Sequence, residues 1–165
     1  MTIISVVSGY SPGLIGEIIR LHGVYYEREW NFDPIFEAGC ATRLGDFLKR
    51  LAPEKDRIFS VWEKERVLGS VIIDGSNPEL DPNQAHLRFF IVADGARGKG
   101  IGKALIAAAT DFLSGCYETA KLETFAGLDT ARALYEAAGF KLAEEWETDK
   151  WGPIIREQRF EWRTG

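Results

Sequence analysis

Arg97-Gly98-Lys99-Gly100-Ile101-Gly102-Lys103 carries three glycines at alternate positions and three basic side chains within one heptapeptide. Before it runs the strongly apolar Leu87–Val92, which reads as a central strand. After it Ile101, Leu105, Ala108 and Phe112 fall on one helical face, and the helix ends near Gly115. A strand, a glycine turn and a helix start in that order suit an anion; a plain surface turn with lysines for solubility is the alternative. Glycine lets the backbone approach a ligand, and the first helical N–H groups have no partner within the helix. The helix dipole and Arg97, Lys99 and Lys103 add positive charge, so the expected guest is a phosphate or pyrophosphate. A P-loop would need G-x-x-x-x-G-K-[ST], whereas Gly102-Lys103 is followed by Ala104 and no glycine stands five residues before Gly102. A dinucleotide fingerprint would have G-x-G-x-x-G spacing at the first strand of a βαβ unit. Here the glycines follow three consecutive strand patterns, so a nucleotide-binding domain fits poorly.

Working outward, Thr2–Val7 is short and β-branched and reads as a strand, with Ser11-Pro12 as a helix start. Ile15, Ile18, Ile19, His22, Tyr25, Tyr26 and Glu29 then share one helix face. A second helix starts at Asp33-Pro34 with the stripe Phe36, Cys40, Leu44, Phe47 and Leu51. At Arg57 the period switches to a hairpin, Ile58–Trp62 and Val67–Ile73, about the polar turn Glu63–Arg66. Beyond the glycine turn, Thr119–Phe125 is strand-like. Asp129 can cap a short helix with Ala131, Leu134, Tyr135 and Ala138 on its face, and Gly139-Phe140 fits a left-handed helix end. Lys141–Glu147 and Ile154–Trp162 close the pattern as two strands about Trp151-Gly152-Pro153. The order β-α-α-β-β-β-α-β-α-β-β is a mixed α/β arrangement of about seven strands, with no repeat and no linker, expected to form one domain over 1–165.

Composition narrows the partners. A chain of 165 residues with 45% hydrophobic residues can bury a core without staples. With 20 basic and 25 acidic residues the net charge is −5, which argues against broad nucleic-acid binding. No run approaches the about 20 apolar residues of a membrane span, and no basic residue opens a leader, so a cytoplasmic location is expected. Cys40 and Cys116 form neither a zinc motif nor a C-x-x-C, so no metal is expected.

At the glycine turn the chain resembles the GNAT acetyltransferase superfamily. Phe90-Ile91-Val92 ends a strand, and five residues after Val92 comes Arg97-Gly98-Lys99-Gly100-Ile101-Gly102. A second motif stands at Ala131-Arg132-Ala133-Leu134-Tyr135 with Gly139-Phe140, and Gly69 in the hairpin occupies a customary glycine position. The resemblance spans nearly the whole chain and implies a GNAT-like mixed sheet whose central strand splays from its neighbour. It implies acetyl-CoA as co-substrate, contacted by Phe90, Ile91, Val92, Arg97, Gly98, Lys99, Gly100, Ile101, Gly102 and Lys103. Tyr135 matches the tyrosine that protonates the departing sulfur. One position departs: an asparagine common three residues before Ala131 is Leu128 here, so no cofactor contact through that side chain is expected.

The implied reaction is N-acetylation of a primary amine by direct attack, with a small molecule first and a protein amine second as acceptor. The rival is a CoA-binding sensor without catalysis, which would have little need of Tyr135. The base is open among His22, Glu29 and His86. The stretch Leu21–Glu29 resembles a subgroup that also occurs fused behind winged-helix regulators. No helix-turn-helix precedes Thr2, so DNA binding is not expected. Tyr25, Tyr26, Glu29 and Arg88, then Trp30 and Trp151, are the acceptor-side candidates, with Glu29 favouring a cationic amine. A homodimer is in keeping with the resemblance.

Overall fold

A computed structural model describes residues 3–165. The elements are β1 (Val7–Ser8), α1 (Leu14–Trp30), α2 (Pro34–Lys49), β2 (Arg57–Glu63), β3 (Arg66–Asp74), β4 (Gln84–Val92), α3 (Ile101–Cys116), β5 (Thr119–Phe125), α4 (Asp129–Ala137), β6 (Lys141–Thr148) and β7 (Ile155–Arg163), with a 3₁₀ turn at Asp94–Ala96. The seven strands form one sheet in the order β1-β2-β3-β4-β5-β7-β6, so β4 is central as its apolar run requires. Every neighbouring pair is antiparallel except β4 and β5. That parallel pair needs a crossover, and α3 provides it.

Three helix and strand starts differ from the sequence expectation. Thr2 lies outside the described residues, and β1 holds only Val7 and Ser8. Ile4 and Val6 pack against the core without joining the ladder, since β-branched propensity reports side-chain packing more than pairing. At α1 the cap position belongs to Gly13, at φ 91°, rather than Ser11. Ser11 instead accepts a turn bond from Leu14 N–H at 3.0 Å, and the helix begins where Leu14 enters the core. Leu128 rather than Asp129 occupies the cap position of α4.

Side chains bury on both faces of the sheet. Leu105, Ala109, Leu113 and Tyr135 from α3 and α4 meet Val71, Ile73, Leu87, Leu122 and Phe160 on one side. Leu14, Ile18, Leu44 and Phe47 from α1 and α2 meet Ile58, Ile72 and Ile91 on the other. Gly69 sets the height of α3. A Cβ there would stand 2.9 Å from Ile101 Cγ2 and 2.9 Å from Leu105 Cδ1, so glycine lets the first turn of α3 sit directly on β3.

The central strand breaks its own regularity. Ile72 pairs with Arg88 and Ser70 with Ile91, so Phe89 and Phe90 together oppose Val71. This is a β-bulge with Phe89 at φ 52°, and Ser70 Oγ donates to the Phe89 carbonyl at 3.1 Å. A bulge bends its strand and shifts the inside–outside alternation by one. Before it Leu87 faces the α3 side; after it Phe90 and Val92 do, while Ile91 turns toward α1. The bend also separates β4 from β5, which pair only at Gln84↔Thr119, Ala85↔Ala120 and His86↔Lys121. From Leu87 onward that edge of β4 is open.

Candidate functional site

A cleft of about 1160 Å³ opens at this divergence, bordered by β4, the start of α3, α4, β5 and the inner faces of α1 and α2. At one end lies the glycine turn. Gly98 and Gly100 stand at φ 77° and 84°, left-handed conformations that glycine adopts without strain. Ala104 N–H makes the first intrahelical bond, to Gly100 O at 3.0 Å, so the N–H groups of Ile101, Gly102 and Lys103 have no partner within the helix. Among the described residues no side chain caps them. Gly102 lies close under the cleft wall, where a Cβ would meet Leu134 at 3.2 Å and Phe90 at 3.3 Å. Such free donors with close backbone access fit a phosphate group.

Arg97, Gly98, Gly100, Ile101, Gly102 and Lys103 border the cleft, whereas Lys99 is exposed outside it. Arg97 is held by the protein. Its Nε donates to Val92 O at 3.3 Å, a nitrogen lies 3.4 Å from Asp94, and the guanidinium sits 4.7 Å over the Tyr25 ring. Phe90, Ile91 and Val92 all border the cleft. Ala93 N–H donates to Leu68 O on the β3 side at 2.8 Å, so by strand alternation the N–H groups of Val92 and Phe90 point to the open edge. Leu128 also borders the cleft, at the start of α4.

Tyr135 joins core and cleft. Its ring is 5% exposed and packs edge-on to Phe90, with centroids 5.8 Å apart, and against Phe140 and Phe160. The Gly139 end of α4 locks it there through bonds from Phe140 N–H to Tyr135 O at 3.0 Å and from Gly139 N–H to Glu136 O at 3.1 Å. Its hydroxyl has no hydrogen-bond partner among the described residues, and burial pushes the phenol well above its ordinary value. It is a protonated group facing a cavity.

The other end of the cleft is aromatic and charged. Tyr26 borders it, but most of its ring packs among Phe32, Phe36 and Phe125. Tyr25 and Trp151 border it as well, while Trp30 packs over Gly127 behind it. Glu29, expected beside the acceptor, is exposed outside the cleft and pairs with Arg28 at 3.0 Å. The buried side of α1 runs through Ile18, His22 and Tyr26 to Trp30, which packs on Phe125 of β5, and Glu29 stands off that line. Arg88 borders the cleft and also donates to Asp74 at 2.7 Å. Asp74 is fully buried and shared with Arg50 at 2.6 Å. Burial pushes its carboxyl up, but bonds from both arginines outweigh this and hold it below the ordinary range.

Of the three base candidates, the cleft contains two. His22 is buried, with Nδ1 2.9 Å from Ile18 O, and burial above all drives it down to about 4 despite that bond, so it is neutral. His86 sits at the last paired position of β4, and its Nε2 is 2.5 Å from Glu123 Oε2 on β5. Burial raises the Glu123 carboxyl, but its bond to His86 leads the effects that more than offset this, and it stays ionised. Sequence reasoning did not single out Glu123, although alternation with Ala120, Leu122 and Thr124 in the core puts it on the opposite face. Arg43, Lys150 and Glu157 also border the cleft and carried no distinguishing pattern.

The acetyltransferase (GNAT) family model matches residues 17–140. No curated protein sequence matches the chain. An acetyltransferase of GNAT family from Staphylococcus aureus Mu50 has 16% sequence identity and a TM-score of 0.73 over 99% of this chain and 100% of its own. A ribosomal-protein-alanine N-acetyltransferase from Brucella melitensis has 16% identity and a TM-score of 0.75 over 96% and 99%. A Salmonella typhimurium protein solved with its cofactor acetyl-CoA has 12% identity and a TM-score of 0.73 over 99% and 95%. At these identities the likeness concerns the fold. Among the described residues no helix is long and apolar enough to cross a membrane.

Proposed function

The chain belongs to the GNAT acetyltransferase family, and on that premise we propose that it moves an acetyl group from acetyl-CoA to a primary amine, a small molecule in first place, by direct attack. One observation carries the reading. The edge of β4 opens from Leu87 onward beside a helix start whose N–H groups are free and whose approach is lined by glycine. Residues 1–165 are read as one acyltransferase domain, because β7 returns between β5 and β6 to complete the sheet.

When bound, acetyl-CoA supplies the acetyl group as a thioester. Arg97, Gly98, Gly100, Ile101, Gly102 and Lys103 would hold its pyrophosphate, and the open edge of β4 at Phe90, Ile91 and Val92 would hold its amide-bearing arm. Lys99 is left to the general positive field of the loop. An N–H on that edge, from Phe90 or Val92, stabilises the negative charge that develops on the thioester oxygen. His86, oriented by ionised Glu123, removes the proton of the attacking ammonium directly or through one water. The new N–C bond then forms as the C–S bond breaks. Tyr135 gives its proton to the departing thiolate and regains one as the amide nitrogen loses its last surplus proton. Burial keeps the phenol protonated at neutral pH, so the proton is in place when the thiolate departs.

The test is thiol release from acetyl-CoA with a library of amines, followed by mass analysis of the acceptor. The reading predicts amine-dependent release and an acetylated amine. Binding of CoA without amine-dependent release is the outcome that a sensor would give.

A further inference from the structure

Phe36, Cys40 and Arg43 recur at i, i+4 and i+7 along α2, and all three border the cleft opposite Arg88. The charges at this end pair off with one exception. Arg88 meets Asp74 at 2.7 Å, with Arg50 on the far side of the same carboxylate. Arg50 donates in addition to Ser76, whose own hydroxyl and N–H bond to Asp56, so that cluster sets two carboxylates against two arginines. His86 meets Glu123 at 2.5 Å, and Lys150 Nζ lies 2.8 Å from Glu157 Oε1. Among the described residues Arg43 has no carboxylate within 4.0 Å; its one polar contact is the Cys40 sulfur at 3.9 Å. Glu37, one turn earlier on α2, adds negative charge near Cys40 but lies beyond that distance from Arg43, and the groups beside Arg43 are uncharged. His22 is buried and neutral, and burial pushes the Cys40 thiol up to about 11.

A guanidinium is a planar fork of donors that matches a carboxylate in two parallel bonds. Arg43 presents such a fork at the acceptor end, and the Cys40 thiol lies within the fields of both Arg43 and Arg88. Glu29, the group that would have favoured a cationic acceptor, is outside the cleft. We propose that the acceptor amine carries a carboxylate, and that Arg43 receives it over Cys40 on the side facing Arg88. The substrate class is thus amino acids or amino-acid-like amines. The free amine points toward the open edge of β4, and Arg43 acts as a specificity residue rather than a catalytic one. This inference rests on the transferase reading above.

The experiment measures thiol release from acetyl-CoA with matched acceptors: L-amino acids and short ω-amino acids, each beside its carboxamide. At least one free acid is expected to exceed its amide about tenfold or more in kcat/KM, the effect of one charge-assisted contact. R43Q is expected to cut this acid-to-amide ratio about tenfold, through the KM of the acid, and R43K to restore part of it. Arg43 is solvent-exposed, and thermal melts check that both variants fold. An acid-to-amide ratio near one in the native protein overturns the inference, as does a ratio that R43Q leaves unchanged. Transfer confined to amides or polyamines overturns it while keeping the transferase reading. Release with no amine at all, although titration calorimetry shows CoA bound, removes both.

Discussion

His86 and Glu123 meet at 2.5 Å across the last position where the central strand still pairs with its parallel neighbour. One residue further the strands part, so the imidazole and its carboxylate partner stand at the fork where the cleft begins. The pair is fixed by backbone on both sides and opens onto the cavity. For proton removal, this is a rigid position with an oriented ring.

Replacing His86 by Gln is expected to lower kcat about 10²-fold, the usual size of a lost proton acceptor, while the KM for acetyl-CoA stays nearly constant. Glu123→Gln removes only the orienting partner and should lower kcat by less. Single-turnover rates at saturating acetyl-CoA check this order. Equal rates for His86→Gln and the native protein would move the base elsewhere.

Tyr135→Phe keeps the ring that packs on Phe90, Phe140 and Phe160, so stability and CoA affinity should change little. The expected loss is on the order of 10²-fold in turnover. Stopped-flow acetylation and CoA titration on the same preparation separate the two effects. A variant with full turnover in a rate-limiting chemical step would leave Tyr135 as a packing residue.

Gly100→Val tests the cradle. The position is left-handed at φ 84°, and a branched side chain would both strain it and cover the free N–H groups of α3. CoA affinity by titration calorimetry is expected to fall at least about tenfold, with some loss of stability. A folded variant that binds CoA as tightly as the native protein contradicts the pyrophosphate assignment.

Stability should depend on His22 at mildly acid pH. Its value falls from 6.5 to about 4 on folding, chiefly by burial. The folded protein therefore binds fewer protons than the unfolded chain between these values, and acid favours unfolding. The neutral-pH stability is intact above about 6.5, and roughly 3 kcal/mol is lost as pH falls toward 4. Urea titrations at pH 7, 5.5 and 4.5 should show a flatter dependence for His22→Gln than for the native protein. Parallel profiles would mean that other groups carry the acid sensitivity.

Short-range information made most of the architecture legible. Period-2 and period-3.6 patterns report which face of an element is apolar, and each lies within one stretch of chain. Element order, the hairpin at Lys64-Glu65, the stripe Phe36–Cys40–Leu44–Phe47 and the Gly139-Phe140 end of α4 all followed from such patterns. The glycine turn was equally local, because free helix N–H groups and left-handed glycines are properties of consecutive residues. Starts were less legible. A cap such as Ser11 competes with where the first core side chain lands, and Leu14 decided that point.

The sequence by itself thus determined the α/β class, the central strand and the glycine turn at the start of α3, because each depends on neighbours in the chain. Tertiary structure alone decided which charged side chains share the cleft. Glu29 looked placed for the acceptor on its helix face, yet in that turn Trp30 is the residue that packs on β5, and water reaches Glu29. Glu123, Arg43 and Asp74 look like ordinary charged residues in the chain. The fold sets Glu123 against His86, buries Asp74 between Arg50 and Arg88, and leaves Arg43 with no ion pair among the described residues. A charge has no local signature, since its state depends on the distance to groups that the fold brings from tens of residues away.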